Sequence, residues 1–203
     1  MVNGTHSSLA YLGAMAGWQT VDQAIGQAPL REHIEALMRN EIEPTLPALP
    51  GLDLAAYRAN LLARYGNPAL AHRTQQIAMD GSQKLPQRLL GTVRDRLALQ
   101  LPIPRMALGV AAWMHYLRGV DELGQTYRID DPHASELSAL YAQSLAQGAS
   151  PQAVRMMLGY APVFGDLADN AALIDALVPL LQSLQTHGVV ATLAAINTGT
   201  SVS

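Results

Sequence analysis

Arg105-Met-Ala-Leu-Gly-Val-Ala-Ala-Trp-Met-His-Tyr-Leu117 decides the fold. Only Arg105 and His115 in this run carry a group that is charged near neutral pH. The run is apolar on every side and longer than a strand of roughly 4–8 residues, so it predicts a helix at the centre of a helical core. Pro102 and Pro104 precede it, where proline suits a helix start. Trp113 and Tyr116 then read as core side chains.

The same periodicity extends in both directions. Toward the C-terminus, residues 119–132 read as a loop with a short ribbon around Tyr127 and Ile129. The pair Asp121-Glu122 reads as a solvated turn and Asp130-Asp131-Pro132 as a helix-entry turn. Helices follow over 134–146, 151–158, 171–185 and 189–196, and the polar tail from Asn197 to Ser203 reads as frayed. Toward the N-terminus a helix is expected over 86–99, and Asn67-Pro68 opens one ending near Gly81. Asp53 is a good N-cap for 54–65, with Gly66 as its stop. Pro44, Pro47, Pro50 and Gly51 form a stiff connection. A helix over 29–40 precedes it, Thr20-Val-Asp-Gln23 has the capping-box form, and 8–17 forms the first helix, ending near Gly17. The expected fold is all-α, a single domain over residues 1–203 with at least six helices and no substantial sheet.

Composition narrows the function classes. The chain has 203 residues, 49% hydrophobic and 14% charged, with a net charge of −3. So little charge suggests that part of the surface is covered by another domain or subunit, and a homo-oligomer is one way to do so. No basic run interleaves with aromatics, which speaks against nucleic-acid binding. There is no cysteine, so disulfides and thiolate metal sites are excluded. The six histidines show no paired metal spacing. No apolar run approaches the ~20 residues of a membrane span, and the first residues lack the pattern of a signal peptide. A cytoplasmic protein is the default expectation. Neither GxSxG, a Walker A motif nor GxGxxG occurs, so nothing here is a dinucleotide fingerprint.

Two stretches could carry chemistry. Asn3, His6, Ala10, Gly13 and Gly17 fall on one helical face, two polar groups followed by small residues. Small residues permit close backbone approach, so this face is expected to be exposed for docking, or covered by a second copy. On spacing alone the favoured reading is Asn3 at a frayed helix start and an ordinary surface His6. The second stretch, Asp80-Gly-Ser-Gln-Lys84-Leu-Pro-Gln-Arg88, breaks two helices at a glycine and gathers Ser82, Gln83, Lys84 and Arg88. Such donors suit a polyhydroxylated or carboxylated ligand, although a capped turn with solvated cations has the same pattern.

Together these strings resemble a known family. Asn3-Gly-Thr-His6-Ser-Ser-Leu-Ala-Tyr-Leu-Gly13 resembles the start of the C-terminal domain of the mannitol dehydrogenase family. Arg64-Tyr-Gly-Asn-Pro-Ala-Leu70, His72-Arg-Thr74 and Gln76-Ile-Ala-Met-Asp-Gly-Ser-Gln-Lys-Leu-Pro-Gln-Arg88 resemble its following blocks. Ala112-Trp-Met-His-Tyr-Leu117 and Val163-Phe-Gly-Asp-Leu-Ala-Asp-Asn170 extend the likeness, which runs to about Ile196.

The resemblance implies a helical domain of the 6-phosphogluconate-dehydrogenase type, paired with an N-terminal Rossmann domain that holds NAD. It implies a polyol or sugar-acid substrate between the two. Asn3 would stabilise a developing alkoxide, His6 would contact substrate hydroxyls, and Lys84 would bind substrate, with Gln76 and Arg88 beside it. Lys84 is therefore expected near His6 in space. Mannitol-specific members tend to carry Arg where this chain has Gln76, and the long block looks most like the fructuronate reductases. The family's proton-transfer Lys would fall before Met1. The chain is thus expected to be the substrate domain of an NAD-dependent oxidoreductase, binding no cofactor and turning nothing over alone. The alternative is a free-standing helical binding or dimerisation module.

Overall fold

The computed structural model describes residues 2–47, 51 and 53–200. Pro50 of the expected connection and Ser201 to Ser203 of the expected frayed tail lie outside them. Thirteen α-helices are present among the described residues. They are α1 (Val2–Met15), α2 (Val21–Ile25), α3 (Ala28–Leu37), α4 (Leu54–Tyr65), α5 (Thr74–Ala78), α6 (Gly81–Leu85), α7 (Gly91–Ala98), α8 (Pro104–Tyr116), α9 (Ala134–Ser144), α10 (Pro151–Leu158), α11 (Ala161–Phe164), α12 (Ala171–Thr186) and α13 (Gly188–Thr198). No sheet forms among them; the bridges Thr20–Arg73 and Val120–Thr126 are isolated.

The centre is α8, as its composition predicts: every residue from Met106 to Tyr116 is buried. α1 lies along one side of it and α12 along another. A Cβ placed on Gly109 would come 2.5 Å from Ser8 Oγ, so α1 and α8 approach closely only because Gly109 has no side chain. α13 packs on α3 and α12, and α9, α10 and α12 form the layer at the C-terminal end.

The expected Asp53 cap forms, and two further caps, at Ser150 and Asn170, form beyond those expected. Asp53 accepts from Ala56 N at 3.0 Å, Ser150 accepts from Ala153 N at 3.2 Å, and Asn170 accepts from Leu173 N at 3.0 Å. The Thr20 capping box does not form. Thr20 makes no side-chain cap, while Gln23 Oε1 accepts from Gln19 N at 3.1 Å.

Other local expectations are corrected. α1 begins at Val2, not near residue 8, which places Asn3 and His6 inside the helix. Gly17, at φ +77°, ends it as expected. The helices expected over 29–40 and 86–99 each contain a wide π turn, at Met38–Ile42 and Pro86–Leu90. The helix expected from Asn67 to Gly81 is divided into a 3₁₀ turn at Pro68–Leu70 and α5. The ribbon near Tyr127 reduces to one bridge between Val120 and Thr126. Glu122 is not a merely solvated turn residue: its carboxylate accepts from Val189 N at 2.6 Å and so holds the start of α13.

The expected docking face is also overturned. Ala10 is 0% exposed, and a Cβ on Gly13 would meet Thr74 of α5 and Ala24 of α2. The small residues of α1 admit neighbours from the same chain. Only the first turn, with Asn3 exposed and His6 half-buried, remains open on that face together with half-buried Gly17.

Candidate functional site

The site is built on the open N-terminal end of α1. The His6 ring lies on the Tyr65 ring, with centroids 4.7 Å apart and planes inclined by 34°. Tyr65 arrives on the last turn of α4, and its hydroxyl shares a 2.8 Å hydrogen bond with Thr5 Oγ1. Arg64, Asn67 and His72 complete a narrow cleft with these two rings. Its volume is about 30 Å³, close to the ~30 Å³ share of one water in the liquid. That is far below the ~300–1,000 Å³ of a pocket that holds a small-molecule ligand.

Burial pushes the His6 imidazolium down to about pKa 4, and the neighbouring charges of Arg88, His72 and Arg64 act in the same direction. The ring is therefore neutral at pH 7, with one nitrogen able to donate and one to accept.

The Asp80–Arg88 stretch runs antiparallel along α1. Asp80 is left-handed at φ 54°, and its N–H donates to Asp130 O at 2.9 Å. Gly81 lies against Tyr11 and the Trp113 indole, which leave no room for a Cβ. At the other end Arg88 Nη1 lies 3.5 Å from Ser7 Oγ, and the Arg88 carbonyl packs on Gly4. Lys84 lies between these two anchor points in the chain, half-buried, with Nζ 3.7 Å from Asp80 Oδ2. The fold therefore brings His6 and Arg88 together and lays the Lys84 segment along the same helix.

Ser82 is not a free donor. It is 4% exposed, and its N–H and Oγ both donate to the Asp131 carboxylate at 2.7 Å. Gln76 is exposed on α5, the helix packed beside α1, and makes no side-chain hydrogen bond among the described residues. Tyr65, Arg64 and His72 surround His6 but were not singled out as site residues in the sequence. Their signal was present in the Arg64–Leu70 and His72–Thr74 blocks, which carry no periodicity that points at His6.

The arrangement is a neutral imidazole and an amide at a helix start, with guanidinium and ammonium groups along one strip. Such donors can hydrogen-bond a ligand rich in oxygen acceptors. Residues 1–185 match the mannitol dehydrogenase C-terminal domain, and the chain belongs to that family. An uncharacterised oxidoreductase of Escherichia coli (strain K12), YdfI, is 45% identical over 96% of the chain and 39% of its own length. The D-mannonate oxidoreductase of the same organism is 44% identical over 97% of the chain and 40% of its own length. The Pseudomonas fluorescens mannitol 2-dehydrogenase, solved in a ternary complex with NAD and D-mannitol, superposes with a TM-score of 0.89. It is 30% identical, over 96% of this chain and 39% of that one. The chain thus spans about two fifths of the length of these relatives. No helix among the described residues is long and apolar enough to cross a membrane.

The buried histidines make an acid-stability prediction. His33 and His115 are buried and held down to about pKa 3, first by burial and then by Arg105 and Arg118 respectively; His6 sits at about 4. All three have depressed folded values against ~6.5 unfolded, so the unfolded chain takes up protons first as pH falls. Their stabilising contribution is complete above pH ~6.5 and is lost as pH falls toward 3–4. Each fully buried histidine costs on the order of 1 kcal/mol per pH unit in that window, with His6 discounted for its partial exposure. The urea midpoint is expected to fall steeply between pH 6.5 and 4.5. A flat midpoint over that range would refute the buried-neutral assignment.

Proposed function

We propose that this chain is the substrate-orienting domain of an NAD-dependent oxidoreductase. The reaction interconverts a ketose or keto-sugar acid with its polyol or aldonate, and fructuronate with mannonate is favoured over fructose with mannitol. The observation that carries this is the neutral His6 at the open end of α1, faced by Arg88, with the Lys84 segment laid along the same helix. Cations beside an imidazole suit a substrate that has a carboxylate as well as hydroxyls. In keeping with this, the D-mannonate oxidoreductase is 44% identical and a mannitol 2-dehydrogenase of Phaeosphaeria nodorum 33%.

On this reading His6 exchanges hydrogen bonds with substrate hydroxyls. Asn3 donates its amide N–H to the oxygen that becomes an alkoxide, and Lys84, Arg88 and Gln76 hold the remainder. NAD, when bound, supplies the hydride acceptor or donor. The residues described here do not fit it. A dinucleotide turn needs a strand leading into a helix, and the described residues contain no strand. A nucleotide-binding domain would hold it, supply the proton-transfer lysine and close the site over the narrow His6 cleft.

The test joins this chain to the nucleotide-binding portion of the Escherichia coli D-mannonate oxidoreductase and follows NADH oxidation. Turnover is expected with fructuronate, less with fructose, and none from the 203-residue chain alone. Equal rates with fructose would remove the sugar-acid preference. A folded but inactive fusion would favour a binding module.

A further inference from the structure

A second cavity, of about 540 Å³, lies where the end of α8, the following loop and α9 meet. It is remote from His6. The Tyr11 and Tyr116 rings pair at 5.5 Å, and Glu122 N donates to Met15 O at 2.8 Å, which places this end of the molecule beside the C-terminus of α1. His6 lies nine residues back along that helix, roughly 13 Å at 1.5 Å per residue.

The cavity wall includes Arg118, Tyr127, Ile129, Ser135, Ser138 and Tyr141, and no lining residue is acidic. Arg118 forms no ion pair among the described residues. Its Nε donates to Val120 O at 2.6 Å, and its Nη1 lies 2.8 Å from His115 Nε2. A guanidinium only donates, so His115 Nε2 must accept, and the ring proton is on Nδ1. That proton goes to the Tyr141 hydroxyl at 3.0 Å.

Gln185 nearby is engaged elsewhere, its Oε1 accepting from Ala149 N at 3.0 Å and its Nε2 donating to Leu145 O at 2.8 Å. The Tyr141 oxygen is thus the acceptor of the His115 proton. Its own proton has no acceptor among the described residues, although the side chain is only 7% exposed and lines the cavity. That proton lies on the cavity wall, where it can meet an acceptor that enters the cavity. Ser135, which is exposed, and Ser138, which is half-buried, make no side-chain hydrogen bond among the described residues.

We propose that this cavity is a second binding site, for a small hydroxylated carboxylate. The Tyr141 O–H donates to one carboxylate oxygen, Arg118 supplies the positive charge, and the two serines meet hydroxyls. The stacked Tyr116–Tyr127 pair, with ring centroids 4.6 Å apart, forms the rigid wall behind it. Arg118 is the one charge on the wall. The Glu122 carboxylate, whose charge interacts with Arg118, accepts from Val189 N.

The test is a titration of the ¹⁵N-labelled chain with D-gluconate, D-glucitol and inorganic phosphate, read by NMR. Gluconate is expected to give saturable shifts at Arg118, Ser135, Ser138 and Tyr141. Glucitol, which lacks the carboxylate, should bind at least tenfold more weakly. Tyr141→Phe, which deletes only the hydroxyl, should weaken gluconate about tenfold; if that variant does not fold, Ser138→Ala is read instead, with about threefold expected. No saturable shift at these residues overturns the proposal. So do equal affinity for glucitol or phosphate, and an unchanged affinity in the folded variant. None of these readings depends on the His6 site.

Discussion

Replacing Glu41 by alanine is expected to destabilise the fold by about 3–5 kcal/mol, the scale for removing one partner from a buried charged network. Glu41 is 3% exposed in the π turn after α3. Its two carboxylate oxygens accept from Arg105 N and Met106 N, each at 2.8 Å, which are donors that the first turn of α8 cannot satisfy itself. Its carbonyl accepts from Arg96 Nη1 at 3.1 Å, while Arg96 also grips Pro102 O. One residue therefore ties α3, α7 and α8 together. Burial raises its pKa, and the backbone donors together with Arg96 and Arg105 pull it back.

Alanine would leave two donors unmet at the start of the central helix and two arginines without their acid. At roughly 2–4 °C per kcal/mol for a chain of this size, the melting temperature should drop by about 10 °C. Glu41→Gln retains one acceptor oxygen and should fall between. A loss of less than about 2 °C in Glu41→Ala would mean that the α8 cap carries little of the stability.

In the proposed fusion with a nucleotide-binding domain, His6→Ala should lower kcat/KM by about 10²-fold or more, on the scale for losing a positioned donor to the substrate. Because the ring titrates at about 4, His6 should contribute no inflection to the pH–rate profile between 5 and 8. Lys84→Met should act differently. Its ammonium is half-buried and, among the described residues, pairs with Asp80, so the main effect should be a raised KM for a sugar acid and little change for a neutral ketose. The check is a steady-state comparison of both variants with fructuronate and fructose. A His6→Ala enzyme within threefold of the parent would remove His6 from the site.

Much of this was legible from residues alone because it is encoded over a few positions. The unbroken apolar run at 105–117 required a buried helix wherever it ended up. Asp53 caps a helix that begins at the next residue, and a carboxylate within reach of its own backbone needs no tertiary partner. The ordered blocks from Asn3 to Asn170 marked the family before any geometry was known.

Tertiary structure alone decided the rest, because the groups concerned meet only when distant helices pack. The small face of α1 specified that a backbone would come close, but not whose, and it proved to be α2 and α5 of the same chain. Ser82 looked free until Asp131, 49 positions away, took both its donors. Glu41 reads as one acid among 16, yet it caps a helix 64 residues further on. The unmet Tyr141 proton follows from an arginine that fixes a histidine tautomer, a constraint that exists only once three side chains share one hydrogen-bonded line. Local sequence sets which hydrogen bonds a segment can satisfy by itself; the packed fold decides which remaining donors and acceptors find each other, and which are left facing a cavity.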